Sequence, residues 1–155
     1  MNWSAEAAAL YQLLANPEKQ RLLLLWLFTF SCALQDFLKR KIYLFTYLIF
    51  VVPGIIDWAR HPAQALSCLW GLIPGILLLL LVWLLPGSVG GGDALYFLVA
   101  AFYETLPFLT ALLFLSLLLC GVAALCLFVR KRGQGGRQTL PYLCFVLPAL
   151  WLLSG

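Results

Sequence analysis

The stretch Leu106–Val129 reads LPFLTALLFLSLLLCGVAALCLFV and holds no charged residue. A membrane helix needs about 20 mostly apolar residues, so this run is long enough to cross a bilayer by itself. On either side lie more segments of the same kind. Leu22–Leu38 has Asp36 as its only charged residue, Ile42–Trp58 is interrupted by Pro53, and Ala65–Leu85 carries Gly71, Pro74 and Gly75. Ala94–Tyr103 is too short to cross alone. It is predicted to become a span by borrowing neighbours from Gly90 onward and past Glu104, with the next span starting near Pro107. A last short run, Leu140–Leu153, starts near Pro141. The reading is an all-α, polytopic membrane protein of about six transmembrane helices.

Composition agrees. Of 155 residues, 64% are hydrophobic and 10% charged, whereas an ordinary soluble domain is about half apolar and roughly a quarter charged. A globule of this size cannot hide so much Leu, Phe and Trp from water. Disorder is excluded because disordered chains are poor in aromatics and rich in charge. The net charge of +4 comes from clustered Lys and Arg, without the broad basic face that nucleic-acid binding needs. Cys32, Cys68, Cys120, Cys126 and Cys144 form no CxxC pair and suggest neither a disulfide framework nor a metal site. They read as small buried hydrophobes. No cofactor is expected, and Met1–Gln20 lacks the basic start of a cleavable signal peptide.

Lys39, Arg40 and Lys41 lie between spans one and two, and Arg130, Lys131, Arg132 and Arg137 between spans five and six. By the positive-inside rule these loops are cytoplasmic, which places both termini outside. Lys19, Arg21 and Arg60 remain on the outer side. Trp58, Tyr103 and Trp151 then fall near outer ends, and Tyr43, Trp83 and Tyr142 near inner ends, as in an aromatic belt. Residues 1–20 read as an interfacial amphipathic segment, in which Ser4 caps a short helix ended by Asn16-Pro17. The alternative is that they extend the first span. Residues 21–155 form the membrane-embedded domain.

An ionised Asp at the centre of a lipid-embedded helix costs about 2.5–3.5 kcal/mol on insertion scales, so acids in the spans need a reason. Asp57 beside Arg60, and Glu104 in an outer turn, read as solvated anchors. Asp36 ends span one, and Asp93 opens span four directly after Gly90, Gly91 and Gly92. The expected topology brings both to the cytoplasmic edge. Two carboxylates sharing a low-dielectric site do not both ionise easily; one keeps its proton while the other acts as base. The bland readings are that Asp36 pairs with Lys39 or Arg40 and that Asp93 caps a helix. The glycine run leaves backbone uncovered, so that an extended peptide can approach and pair with it. No Lys-Ser/Thr follows the glycines, as a phosphate loop requires.

These residues resemble the motifs of the prepilin (type IV leader) peptidases, which are GxGD-type membrane aspartic proteases. Asp36-Phe37-Leu38-Lys39-Arg40-Lys41-Ile42 matches that family's first Asp, basic stretch and Ile. Gly90-Gly91-Gly92-Asp93 matches Gly-x-Gly-Asp, and Leu140-Pro141-Tyr142 is similar to the Ile-Pro-Phe ahead of its last span. Tyr43 and Leu44 stand where the family has Pro and Asn, and Ala94-Leu95 where it often has a residue and Lys. The resemblance covers about Arg21 to the C-terminus. It implies a short, peptidase-only enzyme of a bacterial or archaeal cytoplasmic membrane, with Asp36 and Asp93 catalytic. Gly90, Gly91, Gly92 and Lys39, Arg40, Lys41 would line the substrate path. The implied partners are prepilin-like precursors cut after Gly behind a short basic leader. Without a cysteine-motif insert, methyl transfer is not expected. Pro148-Ala149-Leu150 matches the PAL motif of presenilin-like proteases by chance.

His61 reads as a surface residue, and Gly71-x-x-x-Gly75 as a seat for a neighbouring helix. Two rival functions use the same sequence. A small transporter or channel would use the acids as ion or proton sites, and a non-catalytic assembly subunit would use only the packing motifs.

Overall fold

A computed structural model of the protein describes residues 16–39, 42–85, 90–130 and 141–154. These form seven helices: α1 (Pro17–Lys39), α2 (Leu44–Arg60), α3 (Pro62–Leu69), α4 (Leu72–Leu84), α5 (Gly91–Ala100), α6 (Leu106–Arg130) and α7 (Leu143–Ser154). No strand occurs among the described residues. Residues 1–15, most of the expected interfacial segment, and the loop 131–140 lie outside them.

Asn16-Pro17 starts a helix. The Asn16 side-chain oxygen accepts the Glu18 N–H at 3.1 Å, and its carbonyl accepts the Gln20 N–H at 3.0 Å. Pro17, which lacks an N–H, fits the first helical position, where none is needed. Residues 17–20 therefore belong to α1. Its buried stripe is Arg21, Leu25, Phe28, Thr29, Cys32 and Ala33, a spacing of three and four that continues onto Asp36. Leu23, Leu27, Phe30 and Leu34 lie exposed on the other side, where apolar side chains suit lipid.

Three helical stretches are long and apolar enough to cross a membrane: Pro17–Lys39, Pro62–Leu84 and Leu106–Leu127. The rod from 62 to 84 has a tightened joint just ahead of Pro74. Pro74 has no N–H to give the Trp70 carbonyl, which instead takes the Ile73 N–H at 3.2 Å. The other apolar helices are shorter, at 17 residues in α2, 10 in α5 and 12 in α7. Ten residues rise about 15 Å, half of a hydrocarbon core of about 30 Å. The expected extension of this segment past Glu104 as helix does not occur. The backbone turns at residues 101–104, where Tyr103 is 2% exposed and its hydroxyl donates to the Phe50 carbonyl. Tyr103 is thus a core residue and no belt residue. By helix length, then, three of the expected six crossings are seen.

Helix α5 lies at the centre, with Ala94, Tyr96, Phe97, Val99 and Ala100 all buried. Helix α4 packs along it, α6 packs on α7, and α7 packs on α1. Gly75 lets α4 in: a Cβ there would stand 2.7 Å from the backbone nitrogen of Leu98. At Gly71 a Cβ would meet the Glu104 carbonyl oxygen at 2.9 Å. The Gly71-x-x-x-Gly75 pair is therefore a seat for α5 and its following turn.

The aromatic centre is Phe28, stacked on Tyr96 at 5.1 Å and 6° and touched by Tyr47 and Phe50. The Thr29 hydroxyl donates to Leu25 O, so the Tyr96 hydroxyl, 2.7 Å away, donates to Thr29. Helix α2 is peripheral and buries only Thr46, Tyr47 and Gly54. Trp58 Nε1–H donates to the Phe102 carbonyl at 3.0 Å, and Arg21 pairs with Asp57 and donates to Gln64. These registers set α2 antiparallel to α1 and parallel to α5.

The Arg21 pairing corrects the reading of Asp57 as a solvated anchor beside Arg60, since its partner comes from α1. His61 is also less superficial than expected: Nδ1 is buried without a hydrogen-bond partner among the described residues. Glu104 is half-buried. Burial holds its carboxyl above the ordinary 4.5, against the Thr105 N–H and the Arg21 charge, which pull it down.

Two outcomes follow from this end of the fold. Gly75→Val should cost about 1–3 kcal/mol by overpacking, read as a lower melting temperature in detergent. A carboxyl raised on folding favours the folded state at low pH and loses that contribution as pH rises past 4.5. Unfolding followed against pH should therefore show Glu104→Gln matching the parent in acid and exceeding it at neutral pH.

Candidate functional site

The C-terminal end of α1 and the N-terminal ends of α2, α5 and α7 meet on one side of the Phe28–Tyr96 stack. Asp36 enters this meeting point on the buried stripe of α1. Its Oδ2 accepts the backbone N–H of Leu143, the first residue of α7, at 3.2 Å. The carboxylate thus acts as a cap supplied from another helix, where the α7 dipole also favours negative charge. One turn below, Cys144 Sγ donates to the Ala33 carbonyl at 3.6 Å and holds α7 against α1.

Asp93 is the third residue of α5, behind the extended N-cap Gly90 (φ −70°, ψ 127°). Its carboxylate folds back over Gly90. A Cβ at Gly90 would stand 2.8 Å from Asp93 Oδ2, so a glycine is needed for the carboxylate to take this position. Gly91 faces open space, with nothing within 4 Å of a Cβ. At Gly92 a Cβ would reach Ile42 Cδ1 at 3.2 Å and the Tyr47 hydroxyl at 3.4 Å. The run is therefore uncovered at Gly91 and crowded at its two flanking members.

Asp36 and Asp93, from helices far apart in sequence, come within Coulombic range of each other. The Lys39 ammonium donates to the Tyr43 hydroxyl at 3.0 Å and lies 5.0 Å over its ring. Arg40 and Lys41 lie outside the described residues. No group of His, Cys, Asp and Glu among the described residues is arranged to hold a metal ion.

Sequence reasoning missed the two tyrosines. Tyr47 donates to the Gly92 carbonyl at 2.8 Å. The Ser116 hydroxyl donates to Leu113 O, so the Tyr142 hydroxyl beside it is the donor to Ser116. Tyr142 carried a signal as the last member of Leu140-Pro141-Tyr142. Tyr47 carried none beyond its place one turn into α2.

The chain matches no family model, no curated protein and no solved structure.

If Asp36 caps α7, shape and hydrogen bonding separate its substitutions. Asp36→Ala should lower unfolding stability by about 1 kcal/mol, whereas Asp36→Asn, which keeps an acceptor oxygen, should stay near the parent in the same melt.

Proposed function

We propose that the protein is a membrane aspartic endopeptidase that removes a short basic leader from prepilin-like precursors. The observation that carries this reading is that Asp36 and Asp93 come from separate helices to one end of the bundle, each next to a residue tied to α2, Gln35 to Thr46 and Gly92 to Tyr47. The motif resemblance around each acid supports it. In this reading the chain crosses the membrane about six times, with α2, α5 and α7 as its shorter crossings. The basic loops around Lys39 and after Arg130 are cytoplasmic and both termini outside, so the acids face the inner leaflet.

The chemistry needs one proton shared between the acids. The ionised carboxylate takes a proton from water, and the resulting nucleophile attacks the scissile carbonyl carbon. The protonated carboxyl donates to the carbonyl oxygen as charge develops there. Collapse of the tetrahedral intermediate breaks the C–N bond: the proton taken from water passes to the leaving amine, and the proton given to the carbonyl oxygen returns to its carboxylate as the carbonyl reforms. The apolar helix of the precursor lies in the bilayer, and its extended leader passes the open backbone face at Gly91.

The test is cleavage of a purified precursor carrying a basic leader ahead of a hydrophobic helix. Asp36→Asn and Asp93→Asn should each lose at least about a hundredfold in rate while remaining folded. Complete processing by either variant would reject the mechanism. Ion flux in liposomes without peptide cleavage would favour the transporter instead.

A further inference from the structure

The chain neighbours of the two acids are tied to one dipeptide of α2. Gln35 precedes Asp36, and its Nε2–H donates to the Thr46 hydroxyl at 2.7 Å, while its Oε1 accepts the Tyr43 N–H at 3.1 Å. Gly92 precedes Asp93, and its carbonyl accepts the Tyr47 hydroxyl at 2.8 Å. Thr46 and Tyr47 are 7% and 5% exposed on a helix that otherwise buries only Gly54.

The Tyr47 bond is not needed to satisfy an orphan group. A carbonyl in the first turn of a helix already receives an N–H from the next turn, so Tyr47 uses the second lone pair of Gly92. Gly92 has no side chain by which its orientation can be fixed, and only its backbone offers a handle. The Tyr47 ring is itself held edge-on to Phe28, with centroids 6.0 Å apart. Its hydroxyl lies within Coulombic range of both carboxylates.

We infer that Thr46 and Tyr47 act as positioning residues that set the separation of Asp36 and Asp93, one hydroxyl gauging each acid through its preceding residue. The inference rests on the protease reading and adds to it the element that spaces the pair. Neither hydroxyl touches substrate; each acts through Gln35 or Gly92. Because the two ties lead to adjacent residues of a single helix, a shift of α2 moves both acids together, whereas loss of one tie lets them drift apart.

The test compares Tyr47→Phe and Thr46→Val, which remove one hydroxyl each and keep the side-chain outline. The control is Trp58→Phe, which removes a comparable tie of α2 at its far end. On the precursor substrate, each hydroxyl variant should lose about tenfold in kcat, the size expected for one hydrogen bond, with KM within about twofold. Trp58→Phe should keep the parent kcat.

A parent-like kcat in either hydroxyl variant, or an equal loss in Trp58→Phe, would overturn the inference. A raised KM at unchanged kcat would overturn it as well. If one hydroxyl variant fails to fold, the other decides; if both fail, the hydroxyls are structural ties and the inference falls. Asp36→Asn separates the two levels. Cleavage by that variant removes the protease reading itself, whereas its inactivity beside a normal Tyr47→Phe removes only the spacing role.

Discussion

The face of the Phe28 ring against Tyr96 is the contact on which the arrangement of the bundle depends. Both rings are wholly buried, and the adjacent Tyr96–Thr29 hydrogen bond fixes how α5 is rotated about its own axis relative to α1. Stacked rings limit sliding, and a hydrogen bond out of reach of water has no competing partner. With this contact set, Asp36 lies two turns further along α1 and Asp93 one turn back along α5. Because the helices are antiparallel, the two displacements run in the same direction. The placing of two acids at one end of the bundle thus follows from a contact between uncharged groups.

Much of this was legible in the chain. The all-helical architecture follows from run lengths such as Leu106–Val129. The inward direction of Asp36 does not, because Leu23, Leu27, Phe30 and Leu34 on the outer side of α1 are as apolar as its buried stripe. Gly90 ahead of Asp93 carried a local message that the structure makes physical, since the carboxylate occupies the space a side chain would fill.

What was not legible has definite causes. Asn-Pro serves both to stop a helix and to start the next, and only the hydrogen bonds of Asn16 show that a helix starts here. The end of α5 at Ala100 is imposed by tertiary contacts of Phe102 and Tyr103 with α2, which no local pattern encodes. Asp57 looked like a partner for Arg60 three residues away, but the pair it makes is with a residue 36 positions earlier. Tyr47 and Tyr142 were hidden because aromatic hydroxyls are common at membrane boundaries. Nothing in the sequence alone distinguishes one that faces lipid headgroups from one that faces a carboxylate.

Helix α2 differs from its neighbours in how it is held. Phe45, Leu48, Ile49, Val52, Ile55 and Ile56 all point away from the bundle, and the attachment consists largely of polar ties at its two ends and at Phe50. In hydrocarbon, parting two apolar surfaces forfeits no hydrophobic driving force, because lipid tails replace the lost neighbour. A wall fastened at a few points in such a solvent behaves as a hinged door, stiff while its fasteners hold and free to swing sideways once one of them opens.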